Sequence, residues 1–403
     1  MGAGASCKSS DANEGTGDST DTKNEQVGGV TPQGRCTFAS LADINADAFE
    51  LGKTKRSQEL VLNALFSDDK ENSYKFAGTM EQLVSFLGEI REGYLNANFP
   101  GAFKSYHTFA HALDVMLTCH CMLETGLGKF FLKEEERTAL ILAAISHDVL
   151  HPGLSNPYFA ATKHEVALKY NNDAILERQS IDYTIPRCEK YELFSSKDAS
   201  EFIRTTILYT DMARHKAIME KMEELHPYFM ESLNKQREIK GLEKLDGVGY
   251  TRKDHDAGID LSEVLSEESR QMLGALLLHS ADVSNPVKQF SYCERWAGLV
   301  MSEFFGQGDL EKKNGLPVSM NCDRDTVSTP KCQIGFGNFV IQGLYGLLAK
   351  FLPEISKQYL DNLNSNTERW KKLSEAESGE NAEKYKIKLE LPSTENGGIS
   401  LGM

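Results

Sequence analysis

Apolar residues recur every three or four positions along most of this chain, and few stretches alternate between apolar and polar side chains. That spacing matches the 3.6-residue turn of an α-helix, so the pattern predicts helices almost throughout. Leu140, Ala144 and His147, for example, fall on one face of a predicted helix. We therefore predict an all-α fold, a compact multi-helix domain that spans residues 41–373.

Three segments depart from the helical pattern. Residues 1–40 are rich in Gly, Ser, Thr, Asp and Asn and almost free of large apolar side chains. Such a segment cannot bury enough surface to offset the entropy of ordering, so it predicts a disordered arm. The charged, glycine-spotted segment at about 230–261 predicts a mobile connection or insertion. Residues 374–403 are again polar and predict a flexible tail.

The arm begins Met-Gly-Ala-Gly-Ala-Ser-Cys, which resembles an N-myristoylation signal, with Gly2 as the acceptor and Cys7 as a candidate for palmitoylation. A Gly/Ser-rich tail that begins this way by chance is the alternative. Residues 8–25 contain two lysines and five acidic residues, a net charge of −3, so a polybasic second signal is missing. Because one myristoyl chain binds a membrane only marginally, stable attachment to the cytoplasmic side of a membrane would need acylated Cys7, with a cytosolic pool otherwise.

Composition limits the classes of function. The 403 residues include 59 acidic and 44 basic side chains, a formal net charge of −15. This balance argues against a nucleic-acid partner bound through its phosphates and against binding an anionic membrane by charge alone. The longest uncharged run, 332–349, is too polar for a membrane span. Eight cysteines without zinc-ribbon spacing, and no signal-peptide core, indicate a reducing cytosolic setting.

Three short clusters combine histidine and aspartate. His107 and His111 lie one helical turn apart, His147 and Asp148 close an apolar helix, and Asp282 closes another. A carboxylate buried at the end of an apolar helix is costly unless a cation or hydrogen-bond partner compensates. Imidazole with carboxylate suits zinc, whereas carboxylates with waters suit magnesium or manganese. The clusters predict a metal centre, and three unrelated capped helix ends are the alternative.

Three further motifs follow the same order along the chain as the clusters. They are Thr-Asp-Met-Ala-Arg-His at 210–215, Glu-Phe-Phe-Gly-Gln-Gly-Asp at 303–309 and Gln-Ile-Gly-Phe at 333–336. Together, over about residues 48–360, these motifs resemble the catalytic domain of class I cyclic nucleotide phosphodiesterases. Any one motif would be a weak signal, but their shared order is a strong one.

The resemblance implies that one tightly held ion, usually zinc, is bound by His111, His147, Asp148 and Asp282. Asp148 would also bridge to a second ion, magnesium or manganese, and the pair would supply a hydroxide that attacks phosphorus. His107 would protonate the leaving 3′ oxygen. The reaction implied is hydrolysis of 3′,5′-cyclic nucleotides to 5′-monophosphates, which would end a cyclic nucleotide signal.

By the same resemblance, three polar residues would hydrogen-bond the metal waters and the acid: His151, Glu177 and Thr210. The nucleotide pocket would contain Tyr106, Asn285, Val300, Gln333 and Phe336. Asn285 favours cAMP over cGMP, although Gln333 can pair with either base by rotating its amide. The sequence departs from the family at Thr108, Leu150 and Gln179-Ser180, where Asn, an acidic or amide residue and a His pair are usual.

Two other functions are open. Another member of the wider His-Asp metal phosphohydrolase superfamily would need basic side chains to hold a polyphosphate, and the clusters contain none. A lipid-anchored scaffold that binds cyclic nucleotide with weak or no activity would fit a decayed metal site, but the ligand set and His107 are intact. The sequence leaves a homodimer or a regulatory protein partner open.

Overall fold

The computed structural model describes residues 36–67, 73–247 and 249–377. Within these ranges the chain is mostly helical and contains no β-strand, which confirms the predicted all-α fold. The same ranges contain no helix long and apolar enough to cross a membrane. Gly2, Cys7 and nearly all of the predicted arm and tail lie outside the described residues.

The helices follow one another with short connections. The first part of the chain contains α1 (Phe38–Leu41), α2 (Ala48–Gly52), α3 (Lys55–Phe66), α4 (Met80–Asn96), α5 (Phe109–Glu124) and α6 (Glu134–Ser146). The middle contains α7 (Asn156–Ala161), α8 (Glu165–Lys169), α9 (Ile175–Lys190), α10 (Lys197–Leu208), α11 (His215–Ile239) and α12 (Arg252–Asp256). The last part contains α13 (Glu267–Asp282), α14 (Phe290–Lys313), α15 (Thr329–Phe336), α16 (Gln342–Leu348) and α17 (Pro353–Glu377).

The centre of the domain is formed by α5, α6, α10 and α13. Helix α6 packs against α5 and α10, and α13 also packs against both of these helices. Every side chain from 138 to 146 on α6 is buried, so that helix is surrounded by protein rather than being amphipathic. On α13, a Cβ at Gly274 would lie 2.3 Å from Phe202 Cζ, so the glycine is required for the close approach of α10. The ends of α6 and α13 are thereby held in a rigid core.

Both ends of the charged segment at about 230–261 are packed against the domain, while most of residues 238–247 are exposed. Its first residues belong to α11, which continues to Ile239. Arg237 forms a buried ion pair with Asp254, and Tyr250 is fully buried. This packing could not be predicted from the composition, because the charges of Arg237 and Asp254 neutralise each other inside the protein.

Helix α17 extends to Glu377, four residues beyond the predicted end of the domain at 373. Its last residue accepts a hydrogen bond from Ser328 Oγ at 2.5 Å. Ser328 is the N-cap of α15, and proline occupies the first turn of that helix. The end of α17 therefore supports the helix that carries Gln333 and Phe336.

Candidate metal centre and active site

The four predicted metal ligands lie together where α5, α13 and the end of α6 meet. His111 Nε2 is 3.0 Å from Asp282 Oδ1 and 3.7 Å from Asp148 Oδ2. His147 Nε2 is 3.1 Å from Asp148 Oδ2 and 3.2 Å from Asp282 Oδ1. One donor atom from each residue lies within 4.8 Å of the other three. Two imidazole nitrogens and two carboxylate oxygens are a donor set that fits a divalent transition metal.

The charges in this cluster depend on one another. Burial would lower the pKa of His147, but Asp148 and Asp282 outweigh it and raise that pKa well above its usual value. Burial would raise the pKa of both carboxyl groups, but the facing His147 holds each well below its usual range. The cluster therefore concentrates two carboxylates that are stabilised by positive charge nearby, and a bound cation would provide more of it.

The local sequence orients His147 for metal binding. It follows the last residue of α6, and its Nδ1 lies 2.8 Å from the carbonyl oxygen of Ala144, which can only accept a hydrogen bond. Nδ1 therefore carries a proton, and Nε2, which faces the cluster, is the nitrogen that would bind a cation after losing its own proton. The next residue, Asp148, is held through its backbone N–H, which donates to Tyr94 Oη at 3.1 Å.

The predicted acid His107 lies in a second cluster with His151 and Glu303. Glu303 Oε1 accepts a hydrogen bond from His107 Nδ1. Glu303 Oε2 accepts three more, from the backbone N–H groups of Ser105, Tyr106 and His107 at 3.0, 2.9 and 3.2 Å. The His107 ring stacks on His151 with 3.7 Å between centroids. Because Glu303 holds Nδ1, the nitrogen left to act on a substrate is Nε2.

The charge state of this second cluster suits an acid. Burial would lower the pKa of His107, but Glu303 and Asp148 outweigh it and raise the pKa to about 9. Burial would raise the pKa of Glu303, but the His107 cation and its hydrogen bond lower it to about 2. Burial and the His107 cation lower the pKa of His151 to about 3. At neutral pH His107 is therefore protonated beside a neutral His151.

Both clusters border one cavity of about 660 Å³. Its lining includes eleven of the predicted residues: Tyr106, His107, Asp148, His151, Glu177, Thr210, Asp282, Asn285, Val300, Gln333 and Phe336. The other two predicted ligands, His111 and His147, are fully buried behind this wall. The structure therefore brings together every predicted site residue that lies within its described ranges.

Glu177 lines the cavity, and its pKa is higher than that of an ordinary glutamate. Its Oε2 accepts a hydrogen bond from Asn156 Nδ2 at 2.9 Å. Burial, reinforced by the charge of Asp211, raises the pKa of Glu177 to about 7. Thr210 is fixed nearby, because its hydroxyl donates to the carbonyl oxygen of Ile207 at 2.8 Å. Glu177 can therefore exchange a proton near neutral pH, whereas Thr210 presents an oxygen of fixed position.

Comparison with known families identifies this arrangement. A family model described as 3′5′-cyclic nucleotide phosphodiesterase matches residues 106–363. The chain belongs to this family. The family assignment confirms the resemblance drawn from the motifs, and the match includes both histidine clusters, the glutamine of α15 and most of the central helices.

Individual relatives agree with the family assignment. The dual specificity calcium/calmodulin-dependent 3′,5′-cyclic nucleotide phosphodiesterase 1 of Drosophila melanogaster is 32% identical over 326 residues, 78% of this chain and 34% of the relative. The 3′,5′-cyclic-AMP phosphodiesterase 4C of Rattus norvegicus is 29% identical over 315 residues, 75% of this chain and 53% of the relative. The chain therefore spans about a third to a half of the length of these relatives.

A solved structure shows the same fold. The phosphodiesterase domain of the Salpingoeca rosetta rhodopsin phosphodiesterase superposes with a TM-score of 0.65 at 27% identity. The superposition covers 87% of this chain and 95% of that domain. The helical arrangement around the two clusters is thus that of a phosphodiesterase domain along nearly its whole length.

Glu303 is the residue of this phosphodiesterase site that the sequence reasoning missed. Its motif at 303–309 supported the resemblance, but no role was assigned to the carboxylate. Glu303 is buried in the middle of α14. The residues that donate hydrogen bonds to it lie 196 to 198 positions earlier in the chain. A glutamate on an amphipathic helix is usually exposed, so only the motif itself could have drawn attention to it.

The departures from the phosphodiesterase pattern affect the backbone near the site. Leu150, between Asp148 and His151, has a φ of 70°, a left-handed conformation that is costly for leucine and easier for asparagine or aspartate. Ser180 donates its hydroxyl to the carbonyl oxygen of Val149 at 2.9 Å. Thr108 is the N-cap of α5 but makes no side-chain capping bond. The loop that follows Asp148 is therefore strained at Leu150 and braced through Ser180.

Proposed function

We propose that this chain hydrolyses 3′,5′-cyclic nucleotides to 5′-nucleoside monophosphates in a reaction that requires two divalent cations. The observation that carries the proposal is the placement of a four-ligand His/Asp cluster and a protonated histidine on the same cavity. Membership of the cyclic nucleotide phosphodiesterase family supports the substrate class.

The cation sites follow from the donor atoms. His111, His147, Asp148 and Asp282 would hold the first ion, for which the mixed nitrogen and oxygen donors favour zinc. Asp148 would also contact a second ion, magnesium or manganese. When bound, the two ions supply positive charge to the phosphate and acidify water.

The protein groups perform the proton transfer. His107 Nε2 donates a proton to the 3′ oxygen as its bond to phosphorus breaks, so the leaving group departs as an alcohol rather than an alkoxide. Glu303 fixes the ring through Nδ1 and stabilises the cation before transfer. His151, neutral and stacked on the ring, limits its rotation.

Other residues that line the cavity would accommodate the base. Phe336 and Val300 would contact the two faces of the purine, and the Gln333 amide would hydrogen-bond its edge. Asn285 Nδ2 donates to Tyr106 Oη at 2.6 Å, and Asn285 Oδ1 is buried without a partner among the described residues. An unpaired acceptor suits the exocyclic amine of adenine better than the oxygen of guanine, so we propose a preference for cAMP over cGMP.

The test is an assay of the purified chain with cAMP and cGMP over a zinc and magnesium titration. We expect Asp148→Ala and His107→Ala to lower kcat at least about 100-fold, while Asp361→Ala and His255→Ala, which alter residues outside the cavity lining, leave it unchanged. Absence of hydrolysis by metal-replete wild type would refute the activity. Full activity of Asp148→Ala would refute the site.

We also propose that acyl chains on Gly2 and Cys7 attach the chain to the cytoplasmic side of a membrane. The signal at the first residues supports this, and the net charge of −3 over residues 8–25 makes the acyl chains responsible rather than charge. Gly2→Ala should move the chain from the membrane to the supernatant on cell fractionation. An unchanged membrane fraction would count against acylation.

A further inference from the structure

The loop between α4 and α5 contains a lysine that the proposed reaction does not use. Lys104 Nζ donates to the backbone carbonyl oxygens of Tyr94 at 2.5 Å and Ala97 at 2.9 Å. These carbonyls lie at the C-terminal end of α4. The last carbonyls of a helix have no N–H partner within the helix, and the helix dipole favours a cation there. Lys104 therefore fastens the loop to the end of α4.

The residues that follow are fastened to a different helix. Ser105 Oγ donates to the carbonyl oxygen of Leu299 on α14 at 2.8 Å. The backbone N–H groups of 105, 106 and 107 all donate to Glu303, also on α14. The four residues 104–107 are thus held by α4 on one side and by α14 on the other, and His107 is the last of them.

Lys104 also contacts the loop that follows the metal ligands. A Cβ at Gly153 would lie 3.0 Å from both Cα and Cβ of Lys104, so the backbone of that loop packs against the backbone of residue 104. Tyr94, whose carbonyl accepts from Lys104, supports Asp148 through its hydroxyl. Burial lowers the pKa of Lys104, and the charge of Glu303 opposes this. The lysine side chain is therefore bound to the end of α4, and its charge and that of Glu303 influence each other.

We propose that Lys104 is a positioning residue that sets the place of His107 relative to the metal cluster. The inference rests on the proposed function. In that reaction water adds to phosphorus, the bond from phosphorus to the 3′ oxygen breaks, and the 3′ oxygen takes the proton of His107 Nε2. The water loses its proton to solvent, and His107 regains one from solvent. Lys104 takes no part in these transfers and acts by holding residues 104–107 in place.

The first test is Lys104→Met, which keeps the length of the side chain but removes the charge and the donors. We expect kcat with cyclic nucleotide to fall about tenfold or more, with KM within about twofold, because misplacement of a catalytic group affects the transition state rather than substrate binding. Lys104→Arg keeps the cation and the donors and should recover most of kcat. Lys350→Met is the matched control, since Lys350 pairs with the exposed Glu223 and neither residue lines the cavity.

A second substrate separates positioning of the acid from general damage. Bis(4-nitrophenyl) phosphate releases a nitrophenolate, which needs no proton from an acid. We expect Lys104→Met to hydrolyse it within about twofold of the wild-type rate and to retain wild-type metal content. Should Lys104→Met fold poorly, Lys104→Gln, which keeps a donor without the charge, takes its place in both assays.

Equal losses on the two substrates, or an unchanged kcat with cyclic nucleotide, would overturn the role of Lys104 while leaving the proposed function intact. Failure of Lys104→Arg to recover activity in a folded, metal-replete protein would also overturn it. A wild-type chain that hydrolyses no cyclic nucleotide would instead remove the proposed function, and the role of Lys104 with it.

Discussion

At the scale of single residues, the proposed acid His107 depends on one buried carboxylate. Glu303 is in contact with His107 and with three consecutive backbone N–H groups, so it fixes both the ring and the peptide that carries the ring. Its negative charge is also a main reason why the pKa of His107 rises to about 9 despite burial. The Glu303 carboxylate thus both fixes the position of His107 and raises its pKa.

Glu303→Gln separates these two effects, because the amide keeps the shape and removes the charge. The pKa of His107 should fall, so the high-pH limb of kcat should move at least about one unit lower, and kcat should drop about twofold at pH 8 and about fivefold at pH 9. Bound cations act on both proteins alike, so the difference in pH profile is the quantity to measure. Glu311→Gln, a buried glutamate on the same helix, should leave the limb in place. An unmoved limb in Glu303→Gln would contradict the assignment.

At the scale of elements, α9 shows how a helix end is stabilised from a distance. Its N-cap position, Ala174, has a φ of 44° and supplies no capping side chain. Asn156, at the start of α7, provides the cap instead: its Oδ1 accepts from the backbone N–H of Leu176 at 3.0 Å, and its Nδ2 donates to Glu177. One amide therefore supports both the helix end and the acidic residue on it.

Asn156→Ala should lower the free energy of unfolding by about 1–2 kcal/mol, because it removes a cap and leaves a buried carboxylate short of a donor. The pKa of Glu177, already about 7, should rise further. Thermal or denaturant unfolding measures the first effect. Asn96→Ala, which breaks an exposed amide–carboxylate contact with Glu92, should cost less than about 0.5 kcal/mol. Similar losses in the two variants would argue against the capping role.

At the scale of the whole molecule, the net charge of −15 should repel an anionic nucleotide. The metal cluster is where that field can be reversed, because two divalent ions would outweigh its two carboxylates. The cluster also joins parts of the chain that lie far apart, since His111 and Asp282 are 171 positions apart. A bound ion should therefore link the halves of the domain as well as attract phosphate.

Chelation should accordingly lower the melting temperature, and added zinc should restore it. An ion at 100 times its dissociation constant stabilises the folded state by about 2.7 kcal/mol, which corresponds to a shift of a few degrees. Differential scanning calorimetry with and without chelator gives the measurement. Asp282→Asn should melt at the same temperature under both conditions. A wild-type melting temperature that does not change when chelator is added would contradict a metal centre at these residues.

The helical class could be predicted from the chain alone, since the 3.6-residue period is a local property. The four proposed ligands and His107 could be predicted as well, because their types and order follow a family pattern. The pairing of Glu303 with His107, the bond from Lys104 to the end of α4 and the buried ion pair of Arg237 with Asp254 could be seen only in the folded chain. The physical reason is that burial and hydrogen-bond partners arise between residues distant in sequence. The sequence does not show whether the charge of a glutamate, a lysine or an arginine is exposed to water or paired with a buried partner.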